Sequence, residues 1–237
     1  MIIKIGEIWI SVNSIWVLKI LNPKIQIKGF ESLNKNEWYL TTSNHQSWAD
    51  IFMVQMLTNR KIPMLKFFMK HVLIYVPVIG ICWWALDMPF LKRYTKEQIK
   101  KNPKLKGRDF KEMRKSLNHY SLHPVSVFSY AEGTRFTHKK HTAQESPYNN
   151  LLKPKEGGMA LALSVIPSIK FLIDITIIYE SPKRSFCEYM CGRLKNIKIF
   201  VKKIEIPKEF LNEKLAEDDR LRSNFKAWLN NIWKDKD

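Results

Sequence analysis

The sequence has no apolar run of the length expected for a membrane-spanning helix. Its longest stretch without Lys, Arg, Asp or Glu, residues 71–86, has 16 residues and contains Pro77 and Gly80. A spanning helix needs about 18 to 20 consecutive apolar residues. We therefore interpret residues 71–86 as buried loop and strand.

Cysteine is scarce, and no cluster of metal ligands accompanies it. The three cysteines, Cys82, Cys187 and Cys191, form an odd set. The Cys-x3-Cys pair has no second pair or nearby histidine with which to make a zinc site. We expect reduced thiols, no bound metal and no organic cofactor.

Acidic residues are also few, with 22 Asp and Glu against 40 Lys and Arg and a net charge of +18. A surplus this large favours an anionic partner: a membrane surface, a phosphorylated small molecule or nucleic acid. Apolar residues make up 45% of the 237 positions. One domain with a large core can therefore form, and a mainly disordered chain is excluded.

Residues 1–21 are predicted to form an amphipathic helix with a wide apolar face. Polar residues recur at helical spacing along one stripe, from Lys4 to Ser14, while Trp9 and Trp16 lie among the isoleucines that cover the remainder. The two tryptophans and the basic surplus favour contact with an anionic membrane interface. The alternative is a core helix that covers a sheet.

Positive charge is concentrated between Arg60 and Lys115, where 15 Lys and Arg accompany only four Asp and Glu. The same segment contains Trp83 and Trp84. Basic side chains beside aromatic rings suit a lipid headgroup layer. They also suit single-stranded nucleic acid, whose bases stack on aromatic rings, and composition does not separate the two.

Strand-like segments alternate with helical patterns along the remaining chain, which predicts an α/β fold. The predicted strands lie at 37–42, 124–130, 171–179 and 197–201, and the predicted helices at 47–57, 158–165 and 221–232. The polar stretches 95–116 and 138–150 are interpreted as surface insertions.

The first candidate for chemistry is His45, which follows a predicted strand, with Asp50 in the helix after it. A carboxylate that accepts from one imidazole nitrogen fixes the tautomer and leaves the other nitrogen free to take a proton. Positions i and i+5 of a continuous helix diverge, so the pair can meet only if His45 lies at or before the first turn. Taken alone, His-x4-Asp is a weak signal, because a cap histidine with an exposed aspartate would give the same pattern.

The second candidate is Glu132-Gly133-Thr134-Arg135, directly after another predicted strand. Glycine allows a tight turn, the backbone amides can bind an anion, and the arginine fork suits phosphate. This tetrapeptide is expected by chance on the order of 0.001 times in such a chain, so its presence is specific. The alternative is an ordinary turn with a surface Glu–Arg pair.

Together these motifs resemble the glycerolipid acyltransferase family, the 1-acylglycerol-3-phosphate O-acyltransferases. Two further blocks agree in order: Lys70 with Pro77, Gly80 and 90–93, then 151–158 with Pro167. The segments 48–50, 84–90 and 131–137 resemble the lysocardiolipin acyltransferase-like branch, particularly its bacterial members. Ala131 replaces a usual proline and Phe136 a frequent serine, which leaves the acceptor in question more than the reaction.

The resemblance implies roles for eight residues. His45 would be the general base that deprotonates the acceptor hydroxyl, and Asp50 would orient it, as in a serine hydrolase triad but without an enzyme nucleophile. The residues that would bind the acceptor, with its phosphate held by the cations, are Lys70, Arg93, Glu132, Gly133, Thr134 and Arg135.

The resemblance also implies a mixed, largely parallel sheet flanked by helices, in a single domain over 1–237. The N-terminal helix would occupy 1–21, the catalytic core 35–205 and a helical region 206–237. The donor would be acyl-CoA or acyl-carrier protein, and the acceptor a lysophospholipid, most simply 1-acylglycerol-3-phosphate. We expect the enzyme on an anionic membrane, at the cytoplasmic face of the bacterial inner membrane, with no nucleic acid partner.

Two alternatives stay open at this point. The acceptor could be another lysolipid, such as lysocardiolipin or lysophosphatidylglycerol. From a different class, the chain could be a non-catalytic basic protein that binds anionic membrane or nucleic acid, although that leaves the coincidence of the two motifs unexplained.

Overall fold

The computed structural model describes residues 1–29, 33–91, 100 and 108–237. Its strands are β1 (Lys24–Lys28), β2 (Trp38–Ser43), β3 (Leu65–Phe67), β4 (Met69–Lys70), β5 (Phe90–Leu91), β6 (Ser126–Ser129), β7 (Ile169–Tyr179) and β8 (Asn196–Glu205). Its α-helices are α1 (Ile2–Trp16), α2 (Ala49–Thr58), α3 (Ile79–Ala85), α4 (Arg108–Leu117), α5 (His138–Ala143), α6 (Gly157–Val165), α7 (Phe186–Met190) and α8 (Asp219–Lys236).

Six strands form one mixed sheet in the order β1-β8-β7-β2-β6-β3. Neighbouring strands are parallel except β7 and β8, which are antiparallel. The long polar-apolar alternation of β8 matches its position against β7, where one face is covered and the other partly exposed. The predicted fold class, a largely parallel sheet flanked by helices, is confirmed.

Two apolar clusters cover the two faces of this sheet, because successive strand residues point to opposite sides. On β2, Leu40 packs into the cluster under α6 and α8. Its neighbour Tyr39 packs into the other cluster, under α2 and the end of α1. The predicted closing helix is confirmed as α8, which buries Phe225 and Leu229 against the first cluster.

The parallel strands β2, β6 and β7 end at the same edge of the sheet. Thr42 near the end of β2 is in register with Ser129 at the end of β6 and with Asp174 of β7. In open α/β sheets the segments that follow the carboxyl ends of parallel strands form the ligand-binding crevice. The segment that begins at His45 and the segment that begins at Glu132 both leave this edge.

The N-terminal helix was predicted correctly in its extent. The α-helix Ile2–Trp16 continues as a π-helix over Val17–Leu21, and Val17 and Leu21 are buried in the second cluster. The opposite face is open, with exposed apolar side chains at Ile2, Ile3, Ile5, Ile8, Trp9, Val12, Ile15, Leu18 and Ile20. Among the helices of the described ranges, none is both long and apolar enough to cross a bilayer.

The interpretation of residues 71–86 as buried loop and strand was wrong. His71–Tyr75 form a 3-10 helix, and α3 follows after Pro77. Several large apolar side chains of residues 71–86 are exposed, among them Tyr75 and Trp84. Apolar side chains are buried only where other parts of the fold cover them. Here the two short helices lie outside the main sheet.

A buried ion pair joins the end of α8 to the centre of β7. Lys236 Nζ lies 2.5 Å from Asp174 Oδ1, and the two side chains are only 1% and 4% exposed. Lys236 also donates to the carbonyl oxygen of Ile175 at 3.2 Å. Removing one partner of a buried pair leaves an uncompensated charge, which is strongly destabilising.

We therefore expect Lys236→Met to lower the free energy of unfolding by about 3 kcal/mol. Lys234→Met, which removes an exposed lysine from the same helical turn, should change it by less than about 0.5 kcal/mol. Urea denaturation of the two variants measures the difference. Equal stabilities would show that the Lys236–Asp174 pair contributes nothing to the fold.

Candidate active site

The site begins where β2 ends, at a turn that is bonded to β7. The side chain of Asn44 accepts from the amide of Ile177 at 2.8 Å and donates to the carbonyl of the same residue at 2.9 Å. Because the asparagine is buried, these two bonds satisfy its amide group and fix the turn. His45 is the next residue, and its backbone position is therefore set by the sheet.

His45 and Asp50 are in contact. Helix α2 begins at Ala49, so His45 lies before the first turn, and its Nδ1 is 2.9 Å from Asp50 Oδ2. The same oxygen accepts from the amides of Gln46 and Ser47, at 2.7 and 2.9 Å. An oxygen that already accepts two amide N–H groups is an acceptor toward the imidazole as well, so the tautomer that this contact favours for a neutral imidazole has the proton on Nδ1 and the lone pair on Nε2.

Two tyrosines complete the surroundings of this pair. Tyr179, the last residue of β7, donates from its hydroxyl to Asp50 Oδ1 at 2.7 Å. Burial, together with the Asp50 carboxylate, raises the pKa of Tyr179 well above its usual value, so the phenol stays protonated and donates. Tyr130, directly after β6, stacks on the His45 ring with centroids 3.9 Å apart and an interplanar angle of 12°.

The Asp50 carboxylate therefore receives four hydrogen bonds and is fully buried. The His45 side chain keeps 12% of its surface exposed. An imidazole held by a carboxylate at one nitrogen and by a stacked ring on its face has little freedom to rotate. Such an arrangement can present the second nitrogen to a proton donor in a fixed direction.

Glu132 connects the two segments of the site. Its Oε1 accepts from the amide of His45 at 3.1 Å, and its Oε2 from the amide of Leu152 at 3.2 Å. The residue is fully buried. Burial raises the pKa of Glu132 to about 7, although the two amides and the nearby Lys236 ammonium counteract the increase. Both carboxylate oxygens are thus occupied by backbone groups.

Gly133 forms the tight turn that was expected of it. Its φ of +69° lies in the left-handed region, and a Cβ here would stand 3.3 Å from the Lys155 side chain. Its amide closes the turn by donating to Tyr130 at 2.8 Å, and the Phe136 amide donates to the His45 carbonyl at 2.7 Å. These bonds hold the Glu-Gly-Thr-Arg turn against the histidine segment.

Cations surround this turn. The Arg135 guanidinium carbon lies 4.8 Å from the centre of the Trp48 ring, in a cation–π contact beside the histidine segment. Lys140 Nζ donates to Thr134 Oγ1 at 2.7 Å and to the Arg135 carbonyl at 3.0 Å. With Lys155, three cations lie on or against the turn, and an anion could bind among them.

The structure thus brings together six of the eight predicted residues: His45, Asp50, Glu132, Gly133, Thr134 and Arg135. Lys70 belongs to β4. Its side chain and the whole of Arg93 lie outside the part of the chain that the structure describes. Within the described residues, no group of three His, Cys, Asp or Glu side chains is placed to hold a metal ion.

Sequence reasoning missed Tyr130, Tyr179, Lys140 and Lys155. The two tyrosines had one available signal, since both lie where a predicted strand ends, which is where ligand-binding residues of α/β sheets gather. Lys140 lies in the stretch 138–150, which was interpreted only as a surface insertion. Lys155 lies in the block 151–158, but nothing in its spacing indicates contact with Gly133.

A histidine–aspartate pair beside a cationic turn, at the carboxyl edge of a mixed sheet, defines a site suited to proton abstraction next to a bound anion. The family described as Acyltransferase matches residues 24–179. The chain belongs to this acyltransferase family, which confirms the resemblance seen in the motifs. The lysocardiolipin-like branch and the bacterial source stay predictions.

The similar curated proteins are longer than this chain. The 1-acyl-sn-glycerol-3-phosphate acyltransferase delta of Homo sapiens is 26% identical over 184 residues, which cover 73% of this chain and 43% of the relative. The delta enzyme of Mus musculus is 27% identical over 187 residues, and the human gamma enzyme 26% over 184 residues. This chain thus spans less than half the length of these relatives.

A solved structure shares the fold. It is the 1-acyl-sn-glycerophosphate acyltransferase PlsC of Thermotoga maritima, with a TM-score of 0.54 over 93% of this chain and 76% of that chain. The sequence identity is 15%, so the likeness concerns the architecture.

Removing the Tyr179 hydroxyl tests whether Asp50 is oriented from the β7 side. We expect Tyr179→Phe to lower kcat for acyl transfer about tenfold with little change in the acceptor KM, because one of the bonds to Asp50 is lost. Tyr189→Phe is the matched control, since that buried hydroxyl has no hydrogen-bond partner among the described residues. A normal kcat in Tyr179→Phe would contradict the positioning role.

Glu132 generates a prediction about pH. Its pKa in the fold is about 7 against an ordinary value of 4.5. The native state therefore binds the proton more tightly, and stability falls as pH rises through this window. Relative to Glu132→Gln, the unfolding free energy of the unchanged chain should fall by about 3 kcal/mol between pH 4.5 and pH 7. A pH-independent difference between the two chains, measured by urea denaturation, would exclude this raised pKa.

Proposed function

We propose that this chain transfers a fatty acyl group from a thioester to the free hydroxyl of 1-acyl-sn-glycerol-3-phosphate, giving phosphatidic acid. The observation that carries the proposal is the His45–Asp50 contact, held beside the cationic Glu-Gly-Thr-Arg turn by the bond from the Phe136 amide to the His45 carbonyl. The similar human proteins are 1-acyl-sn-glycerol-3-phosphate acyltransferases, which supports the proposal.

The proposed reaction uses no enzyme nucleophile. His45 Nε2 takes the proton of the acceptor hydroxyl as its oxygen attacks the thioester carbonyl carbon. The tetrahedral intermediate collapses, the carbon–sulfur bond breaks, and the imidazolium returns the proton to the departing thiolate. Asp50 keeps the imidazole oriented and balances its positive charge during the reaction.

The acceptor phosphate would bind at the cationic turn. Arg135 supplies a guanidinium fork held over Trp48, and Lys140 and Lys155 add positive charge. Glu132 is occupied by backbone amides, so we assign it the positioning of the two segments, not contact with the acceptor. By the family motifs, Lys70 and Arg93 complete the phosphate site. Holding the phosphate places the glycerol hydroxyl near the base, and such positioning contributes strongly to rate.

The identities of the acyl donor and the acceptor are tested separately. We propose acyl-CoA or acyl-carrier protein as donor. Assays with one fixed donor and a panel of lysophosphatidic acid, lysocardiolipin and lysophosphatidylglycerol discriminate among acceptors. Lysophosphatidic acid should give the highest kcat/KM. Salt-sensitive binding to nucleic acid, with no turnover of any lysolipid, would instead favour a non-catalytic basic protein.

We further propose that the enzyme works on an anionic membrane at the cytoplasmic face, anchored through α1. The exposed side of this helix carries isoleucines and Trp9. Such a face lies in the headgroup region of a bilayer, and the net charge of +18 strengthens attraction to anionic lipid.

His45→Ala tests the base directly. We expect a loss of at least about 10³-fold in kcat, with unchanged far-ultraviolet circular dichroism and vesicle binding. His123→Ala, at an exposed histidine before the amino end of β6 and thus at the opposite end of that strand from the Glu-Gly-Thr-Arg turn, should retain normal activity. Retained turnover in His45→Ala would rule out the proposed base.

Arg135→Ala tests the phosphate site. Loss of a charge-assisted contact should raise the KM for lysophosphatidic acid about tenfold or more while changing the donor KM little. Arg135→Lys should recover only part of this loss, because ammonium lacks the planar fork. The control is Lys139→Ala, at an exposed cation in the same region. A change confined to the KM for the acyl donor would contradict the assignment of Arg135 to the phosphate site.

A further inference from the structure

A second exposed apolar surface follows strand β4 along the chain. It comprises Val72, Tyr75, Val78, Ile81 and Trp84, which we call the apolar ridge, and each is between 66% and 76% exposed. These residues belong to the 3-10 helix His71–Tyr75, helix α3 and the turn between them. A contiguous patch of apolar side chains exposed to solvent indicates an interaction site.

The chain lies against α1 directly after the ridge. Gly6 of α1 is buried against the residue that follows α3, since a Cβ at Gly6 would stand 3.0 Å from Leu86 Cδ2 and 2.5 Å from Met64 Cε. A Cβ at this position would have to displace the flexible end of the Met64 side chain. Ile5 and Trp9, on either side of Gly6, are exposed. The end of α3 therefore lies beside α1, whose exposed side is also apolar.

The ridge also lies at the edge of the sheet that carries the active site. Strand β3 is parallel to β6, and β6 leads into Tyr130, which stacks on His45. The chain passes from the carboxyl end of β3 through β4 to the ridge. Parallel strands β4 and β5 bracket the ridge, with Lys70 paired to Leu91, so the predicted phosphate ligand Lys70 immediately precedes it.

The charge of the sequence segment that contains the ridge selects the kind of partner. The segment from Arg60 to Lys115 has 15 Lys and Arg and only four acids, and Arg60 and Lys61 are exposed. A second copy of the chain would bring like charges together. An anionic lipid surface matches the cations and accepts the Tyr75 and Trp84 rings at its headgroup level.

We propose that the apolar ridge inserts into the interface of a membrane containing anionic phospholipid, as a second contact beside α1. The inference rests on the proposed function, and it places the mouth of the acceptor site against the lipid layer from which a lysophospholipid would enter. The bound ridge would orient the carboxyl edge of the sheet toward the bilayer.

Cys82 gives a direct probe, because it lies within α3 and is exposed. A Cys187→Ser/Cys191→Ser chain is labelled at Cys82 with a polarity-sensitive fluorophore. Vesicles of phosphatidylglycerol and phosphatidylcholine are added, and quenching by aqueous iodide is measured. The control is a chain in which all three cysteines are replaced by serine and Ser223→Cys supplies the label at an exposed position of α8.

The label at Cys82 should shift to shorter emission wavelength and lose iodide quenching severalfold on these vesicles, while the Ser223→Cys label stays accessible. Unchanged quenching at Cys82 on vesicle-bound chain overturns the inference. Shielding that appears without vesicles and grows with protein concentration also overturns it, since it would show a second copy as the occupant.

The double variant Ile81→Ser/Trp84→Ser tests the inference through the affinity of the chain for vesicles. We expect vesicle binding to weaken about tenfold or more, whereas Ile178→Ser, at an exposed isoleucine of β7, should have little effect. Acyl transfer to detergent-dispersed lysophosphatidic acid is measured on the same chains. If the Cys82 label is shielded on vesicles but no chain turns over lysolipid, membrane insertion of the ridge is supported and the proposed function is contradicted. If the chain turns over lysolipid but the Cys82 label stays accessible on vesicle-bound chain, the proposed function is supported and insertion of the ridge is contradicted.

Discussion

The Asp50 carboxylate is the group on which the rest of the site depends. It is fully buried at the start of α2, and it receives donors from His45, from two backbone amides and from Tyr179. A buried carboxylate is tolerable only with such compensation. The same bonds that stabilise the carboxylate determine which imidazole nitrogen is free. The chemistry of the site therefore follows from the need to satisfy one buried charge.

Distant parts of the chain meet at this edge of the sheet because each supplies one bond to the histidine segment. Asn44 bonds to Ile177, Glu132 bonds to the His45 amide, and Ser47 donates to the Arg184 carbonyl at 2.7 Å. Glu132 also holds the Leu152 segment, which brings Lys155 beside Gly133. The cationic turn is thereby fixed relative to the base, as a reaction between two positioned groups requires.

The sequence was most informative where a motif is local. His45 and Asp50 are five residues apart, and the strand before them and helix after them could be read from periodicity, so their meeting could be foreseen. The Glu-Gly-Thr-Arg turn was recognised for the same reason. Tyr179 meets Asp50 across 129 residues of chain, and no pattern near either residue encodes that contact. Lys236, which pairs with Asp174, was missed for the same reason.

The misreading of residues 71–86 has a different cause. An uncharged stretch of 16 residues interrupted by Pro77 and Gly80 resembles core material. Burial depends, however, on which surface remains to be covered once the sheet has its helices, and α2, α6 and α8 already fill both faces. The apolar stretch is left outside, next to α1, and this placement gives the chain a second exposed apolar surface.

The tautomer of His45 is the most direct test of the central claim, that Asp50 keeps the proton on Nδ1 and leaves Nε2 as the base. Nitrogen-15 NMR of selectively labelled histidine, with His45→Ala used for assignment, distinguishes the two ring nitrogens in the neutral imidazole. We predict a protonated Nδ1 and an unprotonated Nε2. A neutral His45 protonated at Nε2, or divided equally between the two tautomers, would contradict the account.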